Sequence, residues 1–184
     1  MRFICFFILI LFGGCISNKE VVIIQQVNNI DKPVVLRICD DKTAIHSLLY
    51  PLSYKIKKNK NIDIYYFDNT FLFHNMKLNS GTGGCYLAPQ DKNKNLSISY
   101  KNFNGFIKYI VEENDTIKGY LDKYYKEMIV RQKDTIHVSL KEFNHNLKYV
   151  INTFFEEDSI VLHFKNNEKW YNVPLKVNFF IKEE

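Results

Sequence analysis

The sequence predicts a mainly β fold: a single antiparallel sheet or sandwich-like domain, with one helix near residues 140–155 and with α+β as the alternative. β-branched and aromatic residues form short runs along the whole chain. Several of these runs alternate apolar with polar side chains, which is the period of a half-buried strand. Polar, turn-forming residues separate the runs at intervals that fit consecutive antiparallel strands.

Four strands are predicted in the first part of the chain: residues 21–24, 33–39, 62–67 and 70–74. A polar segment, residues 28–32, separates the first two strands, and it fits either a hairpin or a strand–loop–strand connection. Asp68-Asn69 separates the other two strands and predicts a hairpin turn, because Asp and Asn favour tight turns between alternating runs.

Four later segments also alternate and predict strands: residues 96–100, 135–138, 159–164 and 175–179. Residues 139–155 fit both helix and strand periods. Ser139 and Glu142 fit a capping box, which favours the helix. Residues 116–130 have helical spacing that Gly119 interrupts, and residues 124–138 fit a hairpin equally well. The predicted fold therefore places its one helix at 140–155.

The composition indicates one folded domain and argues against intrinsic disorder, because 46% of the residues are hydrophobic and 15% are aromatic. The formal net charge is +5, and the lysines are scattered among acidic residues. The densest basic run, residues 55–60, is predicted to be an exposed turn, since asparagines accompany its lysines. We expect no nucleic-acid partner.

The first residues have the layout of a secretory signal peptide. Arg2 precedes an apolar run, Ile4–Phe12, which is too short to span a bilayer stably. The run ends in Phe12-Gly13-Gly14-Cys15. This motif resembles the bacterial lipobox, in which a large apolar residue and two small residues precede a cysteine, although Phe12 stands where Leu is commoner.

The resemblance implies lipidation of the Cys15 thiol, cleavage after Gly14, and fatty acyl chains such as palmitate that hold the protein on a membrane. It divides the chain into a signal peptide (1–14), a lipidated cysteine with a short tether (15–20) and a single globular β-rich domain (21–184). The tether is similar to that of small Bacteroidota lipoproteins. Ile16 favours the outer membrane over retention in the inner membrane.

Two cysteines, Cys39 and Cys85, remain after Cys5 leaves with the signal peptide and Cys15 is lipidated. In an oxidising compartment such an even pair is a candidate disulfide. The bridge would close a loop of about 46 residues and contribute roughly 4 kcal/mol on the chain-entropy model. The alternative is two buried free thiols.

No catalytic, cofactor or metal motif is recognisable. The glycine-rich segment 80–85 lacks the Gly-Lys-Ser/Thr ending of a phosphate-binding loop, and Pro89 argues against a following helix. No two of the five histidines have the spacing of a local metal site. His137 and His163 lie on predicted strands whose distance in space the sequence leaves open. We therefore predict no cofactor, no metal and no catalytic residue.

Two functions from different classes follow. The first is a lipid-anchored, non-enzymatic binding or assembly module of the cell envelope, for example of an immunity or inhibitor type, with a protein partner. An exposed apolar patch of several hundred Å² would favour this function. The second is an envelope hydrolase or a glycan-binding accessory protein. A cleft that holds His137 or His163 beside perturbed carboxylates would favour the second function.

Overall fold

The computed structural model describes residues 22–27, 31–58, 63–73, 83–90, 100–167 and 169–179. Half of these residues are in strands and 24% are in helices, which confirms the mainly β prediction. The elements, in chain order, are β1 (Val22–Gln26), β2 (Val34–Ile38), β3 (Ile45–Lys58), β4 (Tyr65–Leu72), β5 (Gly84–Pro89), β6 (Tyr100–Ile110), α1 (Asp115–Val130), β7 (Thr135–Val138), α2 (Leu140–Asn146), α3 (Lys148–Val150) with a following π-helical turn (Ile151–Phe155), β8 (Ser159–Lys165) and β9 (Trp170–Lys176).

The larger sheet is built around β3, and all of its strand pairs are antiparallel. Across the sheet the order is β5-β6-β3-β2-β7, and β1 also pairs with β3. β1 and β2 lie end to end along the same edge of β3, since Val22 pairs with Lys58 and Val35 pairs with Leu49. The strand–loop–strand connection is therefore confirmed, and a hairpin between these two strands is wrong.

β3, the central strand of the larger sheet, was not predicted from the sequence. It includes Lys55, Lys57 and Lys58, which pair with β1, so the exposed turn predicted at residues 55–60 is wrong for residues 55–58. Lys55 and Lys57 point outward, whereas the Lys58 ammonium is buried and lies 3.3 Å from the Asp63 carboxylate. The alternating period of a paired strand thus accommodates these lysines without a turn.

The smaller sheet has the order β4-β8-β9 and is also antiparallel. β4 continues through Asp68 and Asn69, so the hairpin predicted there is not formed. The pairing register with β8 shifts at a bulge between Tyr66 and Asp68. The Asn69 side-chain amide donates a hydrogen bond to the Tyr66 hydroxyl at 2.7 Å. Pairing with β8 on both sides of the bulge keeps the strand continuous.

Two helical segments are present where the sequence favoured one. α1 begins after Asn114, whose side chain accepts a hydrogen bond from the Ile117 amide, and it buries Leu121 and Met128 on one face. The hairpin alternative for residues 124–138 is therefore wrong, although β7 is a strand. The helix near 140–155 is confirmed, and Ser139 caps it by accepting from the Glu142 amide at 3.2 Å.

The core lies on one face of the larger sheet. Aromatic residues join that face to the smaller sheet and to the helical segment: Tyr66 packs edge-on against Phe103, and Tyr109 stacks on Phe155 with ring centroids 4.0 Å apart. β9 ends at Lys176, so the strand predicted at residues 175–179 is wrong beyond that residue. Phe179, which follows β9, is buried in the same core. No helix among the described residues has the length and apolar character needed to cross a membrane.

Candidate binding site

The face of the larger sheet opposite the core has an apolar centre. Its residues are brought together by strand register, because Leu49 lies opposite Val35, and Pro51 lies opposite Phe106, which lies opposite Tyr86. The Tyr86 and Phe106 rings contact each other with centroids 5.1 Å apart. We call these five residues the sheet patch. They come from β2, β3, β5 and β6, so only the folded sheet creates the patch.

The sheet patch forms much of an open groove of about 510 Å³. Leu49 is only 7% exposed although it points away from the core, so the apolar centre is the floor of a concavity and not a protrusion. Binding sites are typically concave and largely apolar with a few polar groups at the margin. The groove is lined by Lys32, Pro33, Val35, Arg37, Leu49, Pro51, Asn104, Gly105, Phe106 and His137.

The groove has a basic margin. Arg37 and His137 flank it on one side, and Lys108 follows Phe106 along β6 on the same face. None of the six described strands of this sheet contains Asp or Glu. Lys32 also lines the groove, and its neighbour Asp31 is exposed. A surface with one sign of charge attracts partners of the other sign.

A second, more polar concavity of about 330 Å³ continues the groove and shares Lys32 and Asn104 with it. Ser53 and Asn104 are cross-strand partners there, and the Ser53 hydroxyl donates to the Asn104 side-chain oxygen at 2.7 Å. The concave surface therefore passes from an apolar floor to a hydrogen-bonding region. Such a surface suits an extended ligand that has both apolar and polar groups.

The two histidines that the sequence left open do not meet. His137 points outward from β7 in the larger sheet, and His163 lies in β8 of the smaller sheet. The ring nitrogens of His163 contact the Thr70 hydroxyl at 2.8 Å and the Asn172 side-chain oxygen at 2.9 Å. An asparagine oxygen can orient a histidine ring, but neither contact is to a carboxylate, so His163 lacks the perturbed carboxylate neighbour that would favour the second function.

His137 also lines a polar concavity of about 300 Å³ that contains Glu127 and Glu142. Both carboxylates have other partners: Glu127 pairs with Arg131 at 3.0 Å, and Glu142 accepts from the Tyr124 hydroxyl at 3.0 Å. These contacts engage the carboxylates in structural interactions between helices and within α1. The cleft thus lacks the histidine–carboxylate pairing that would favour a hydrolase.

One histidine–carboxylate pair was missed by the sequence reasoning. His46 Nδ1 lies 2.6 Å from Glu112 Oε2, and both side chains are about one-third exposed. The two residues are far apart in the sequence, so no local motif could reveal them. Within the described part of the chain, no hydroxyl or thiol is hydrogen-bonded to the other ring nitrogen of His46. The pair therefore lacks a positioned nucleophile.

The candidate disulfide is not formed, and both Cys39 and Cys85 are free thiols. Cys39 follows β2 and Cys85 lies in β5, with β3 and β6 between those strands. The three inter-strand steps alone contribute roughly 14 Å to their separation, whereas a bridge needs α-carbons within about 7 Å. Burial raises the pKa of the Cys85 thiol to about 12, so this partly exposed group stays protonated at neutral pH.

Cys39 belongs to the turn between β2 and β3. Its thiol donates to the Asp41 carboxylate at 2.8 Å, and hydrogen bonds from Cys39 and then Thr43 lower the pKa of Asp41. The thiol therefore stabilises a turn, which is a role the sequence did not indicate. The lipidation residue predicted from the sequence, Cys15, lies outside the described residues.

In the part of the chain that the structure describes, no group of three His, Cys, Asp or Glu side chains is arranged to hold a metal ion. The strongest feature is therefore the groove with its apolar floor and basic margin. Comparisons with protein-family models, curated proteins and solved structures found no match to this chain.

Proposed function

We propose that this chain is a lipid-anchored, non-enzymatic binding module of the bacterial cell envelope, attached to the outer membrane through Cys15. Its groove would bind a segment of a partner protein that carries both acidic and apolar side chains. The observation that carries this proposal is the concave sheet patch with its basic margin. The lipobox-like sequence before Cys15 supports the anchor.

The shape and charge of the groove favour a protein segment. A protruding polypeptide fits a concave floor, where buried apolar contact supplies most of the binding free energy. Arg37 and Lys32 would attract acidic side chains at the margin and raise the association rate. A bilayer surface would not reach the floor, because Leu49 is recessed. An immunity or inhibitor protein would use a surface of this kind.

Binding to a defined peptide tests the groove. The probe is a synthetic peptide that alternates Glu with Leu and Phe, and the comparison peptide carries Lys in place of Glu. We expect the full-length, detergent-solubilised protein to bind the acidic peptide in fluorescence anisotropy. Arg37→Glu should weaken this binding about tenfold, because it reverses a charge at the margin.

The matched control is Lys118→Glu, which reverses a charge on α1, where Lys118 pairs with Asp115. It should leave peptide binding unchanged. Equal binding of the acidic and basic peptides, or an unchanged affinity in Arg37→Glu, would contradict the proposed partner chemistry. Self-association that Arg37→Glu abolishes would also contradict it, because the groove would then hold a second copy of the chain.

The anchor needs a separate test. Protein made in its native host should have a mass that includes a diacylglycerol on Cys15, and it should sediment with membranes. Cys15→Ala should accumulate as an uncleaved precursor without acyl chains. Cys5→Ala is the matched control, because Cys5 lies in the predicted signal peptide, and it should be processed normally. An intact leader or an unmodified Cys15 in the wild-type protein would refute the anchor.

A further inference from the structure

Aromatic and basic side chains protrude at one end of the smaller sheet. Tyr65, Lys165 and Trp170 form one row across its strands, since Tyr65 pairs with Lys165 and Lys165 pairs with Trp170. Phe67, in the bulge of β4, packs edge-on against Trp170 with centroids 4.9 Å apart. Tyr65, Phe67 and Trp170 are 44%, 57% and 51% exposed. We call these four residues the aromatic–lysine cluster.

The chemistry of the cluster suits a lipid–water interface. The Lys165 ammonium lies 5.2 Å from the centre of the Trp170 ring, within the range of a cation–π contact. Tyr and Trp are enriched where a membrane meets water, because their rings are apolar and their N–H or O–H groups remain hydrated. A lysine beside them adds attraction to anionic headgroups.

The first described strand begins at the same end of the domain. β1 begins at Val22, which pairs with Lys58, and Lys58 contacts Asp63, two residues before β4 begins. Tyr66, next to Tyr65, packs on Phe103, whose cross-strand partner is Tyr54. The start of β4 and the start of β1 therefore lie toward the same end of β3, the end that carries Lys58.

The tether is too short to keep this end far from a membrane. Six residues, 16–21, separate Cys15 from Val22, and a fully extended chain of this length spans at most roughly 25 Å. An acylated Cys15 would thus hold the end that carries the cluster within a short distance of the headgroups. Because the anchor supplies a high local concentration, even weak contacts there would be occupied.

We propose that the aromatic–lysine cluster rests in the headgroup region of the membrane that anchors the protein, with Lys165 at anionic phospholipids. The inference rests on the proposed lipid at Cys15. Lys169, directly before Trp170, adds a second exposed cation, while the exposed Asp68 moderates the charge. The contact is therefore chiefly an aromatic one that lysine strengthens.

A glycan fits the cluster less well. A sugar ring stacks on a flat, unobstructed aromatic face, but the Phe67 and Trp170 rings are 86° apart and form no common plane. The Lys165 ammonium also lies over the indole face. A lipid interface does not require a shared ring plane, because each side chain can bury its apolar body separately while its polar tip stays in water.

Trp170 is the only tryptophan in the chain, so its fluorescence reports the position of the cluster. The full-length acylated protein is reconstituted into phosphatidylcholine vesicles that contain phosphatidylglycerol and lipids brominated near the headgroup. We expect the Trp170 emission to move to shorter wavelength and to be quenched about twofold or more. Lys165→Glu should reduce the quenching, and Lys118→Glu, on α1, should not.

The positional control combines Trp170→Phe with Tyr86→Trp, which moves the reporter to the outer face of the larger sheet. This variant should remain unquenched. If mass spectrometry confirms acylation of the sample and Trp170 is not quenched, the inference is overturned while the anchor stands. Equal quenching at both positions overturns it as well. Emission that responds to a soluble polysaccharide but not to vesicles overturns it in favour of a glycan site. Absence of acyl chains instead overturns the proposed anchor.

Discussion

Two tyrosine hydroxyls in the core have opposite surroundings and should respond oppositely to removal. The Tyr109 hydroxyl donates to the Asp158 carboxyl at 2.6 Å, and both residues are fully buried. The Tyr54 hydroxyl is also buried, but it has no hydrogen-bond partner in the described part of the chain. Replacing each tyrosine with phenylalanine removes one oxygen atom and leaves the ring in place.

The structure sets the sign and size of each effect. Tyr109→Phe removes a donor from a buried carboxyl, and loss of a hydrogen bond to such a group lowers the free energy of unfolding by about 1.5–3 kcal/mol. Tyr54→Phe removes an oxygen whose burial is not compensated, so it should raise the free energy of unfolding by about 1 kcal/mol. For a domain of this size, each kcal/mol corresponds to about 2–4 °C in Tm.

Urea unfolding followed by circular dichroism measures both changes, with equal m-values required for the comparison. Each variant is the control for the other, because both lose a hydroxyl from a buried ring in the same core. A Tyr54→Phe variant that is destabilised as much as Tyr109→Phe would refute the reasoning, since the Tyr54 hydroxyl would then have a stabilising partner. An unchanged free energy of unfolding in Tyr109→Phe would show that the hydrogen bond to Asp158 does not contribute to stability.

Three further predictions concern the glycines, a helix cap and alkaline pH. Gly105→Ala should lower the free energy of unfolding by about 1–3 kcal/mol, because the new Cβ would meet the backbone of β5, with the nearest α-carbon at 2.8 Å. Gly119→Ala on α1 should instead raise the free energy of unfolding by about 1 kcal/mol, because nothing lies within 4 Å of the new Cβ. Urea titration distinguishes the two signs. Ser139→Ala should cost about 1 kcal/mol by the same measurement, since it removes the cap of α2. Burial raises the pKa of Tyr50 and Tyr66 to about 12, above the value of about 10 in an unfolded chain, so their stabilising effect is complete below about pH 10 and is lost as the pH rises toward 12. Phenolate absorbance should then show these tyrosines ionising only with unfolding, and ionisation of all tyrosines near pH 10 in the folded protein would contradict this.

Local sequence patterns predicted an element correctly where one of its faces is buried and the other is exposed. β8 alternates between buried and partly exposed residues, and its predicted bounds nearly match the observed Ser159–Lys165. The capping box at Ser139 similarly identified the start of α2. Such patterns are local consequences of burying one face of an element, so the sequence carries them directly.

The errors arose where a distant strand decided the outcome. Asp68-Asn69 has the composition of a tight turn, yet β8 pairs with the chain on both sides of it and keeps β4 extended. The lysines of residues 55–58 likewise become strand residues because β1 and β6 bind both edges of β3 there. Pairing across the sheet is a non-local interaction, and it overrides turn and charge preferences that are worth about 1 kcal/mol or less.

The groove was not predictable from any single motif. Val35, Leu49 and Phe106 are neighbours only because β3 pairs with both β2 and β6, and nothing in their spacing along the chain indicates this. One signal was nevertheless present in the sequence. The runs that form the larger sheet contain no acidic residue, while α1 alone contains Asp115, Asp122 and Glu127. The lysines of β3 and β6 nevertheless lie in segments for which no strand was predicted, so this separation of charge becomes visible only once the strands are known.

The two proposed surfaces lie on different sheets, and this separation has a consequence that can be measured. The groove lies on the outer face of the larger sheet, and the aromatic–lysine cluster lies on the smaller sheet, so the core stands between them. A domain held on a membrane by the cluster would keep its groove open to a partner. Arg37→Glu should therefore weaken peptide binding without changing the quenching of Trp170, and Lys165→Glu should do the reverse. Since distant sites without shared contacts act additively, the double variant should show both losses at their single-variant sizes. Any larger combined loss would mean that one partner spans both surfaces.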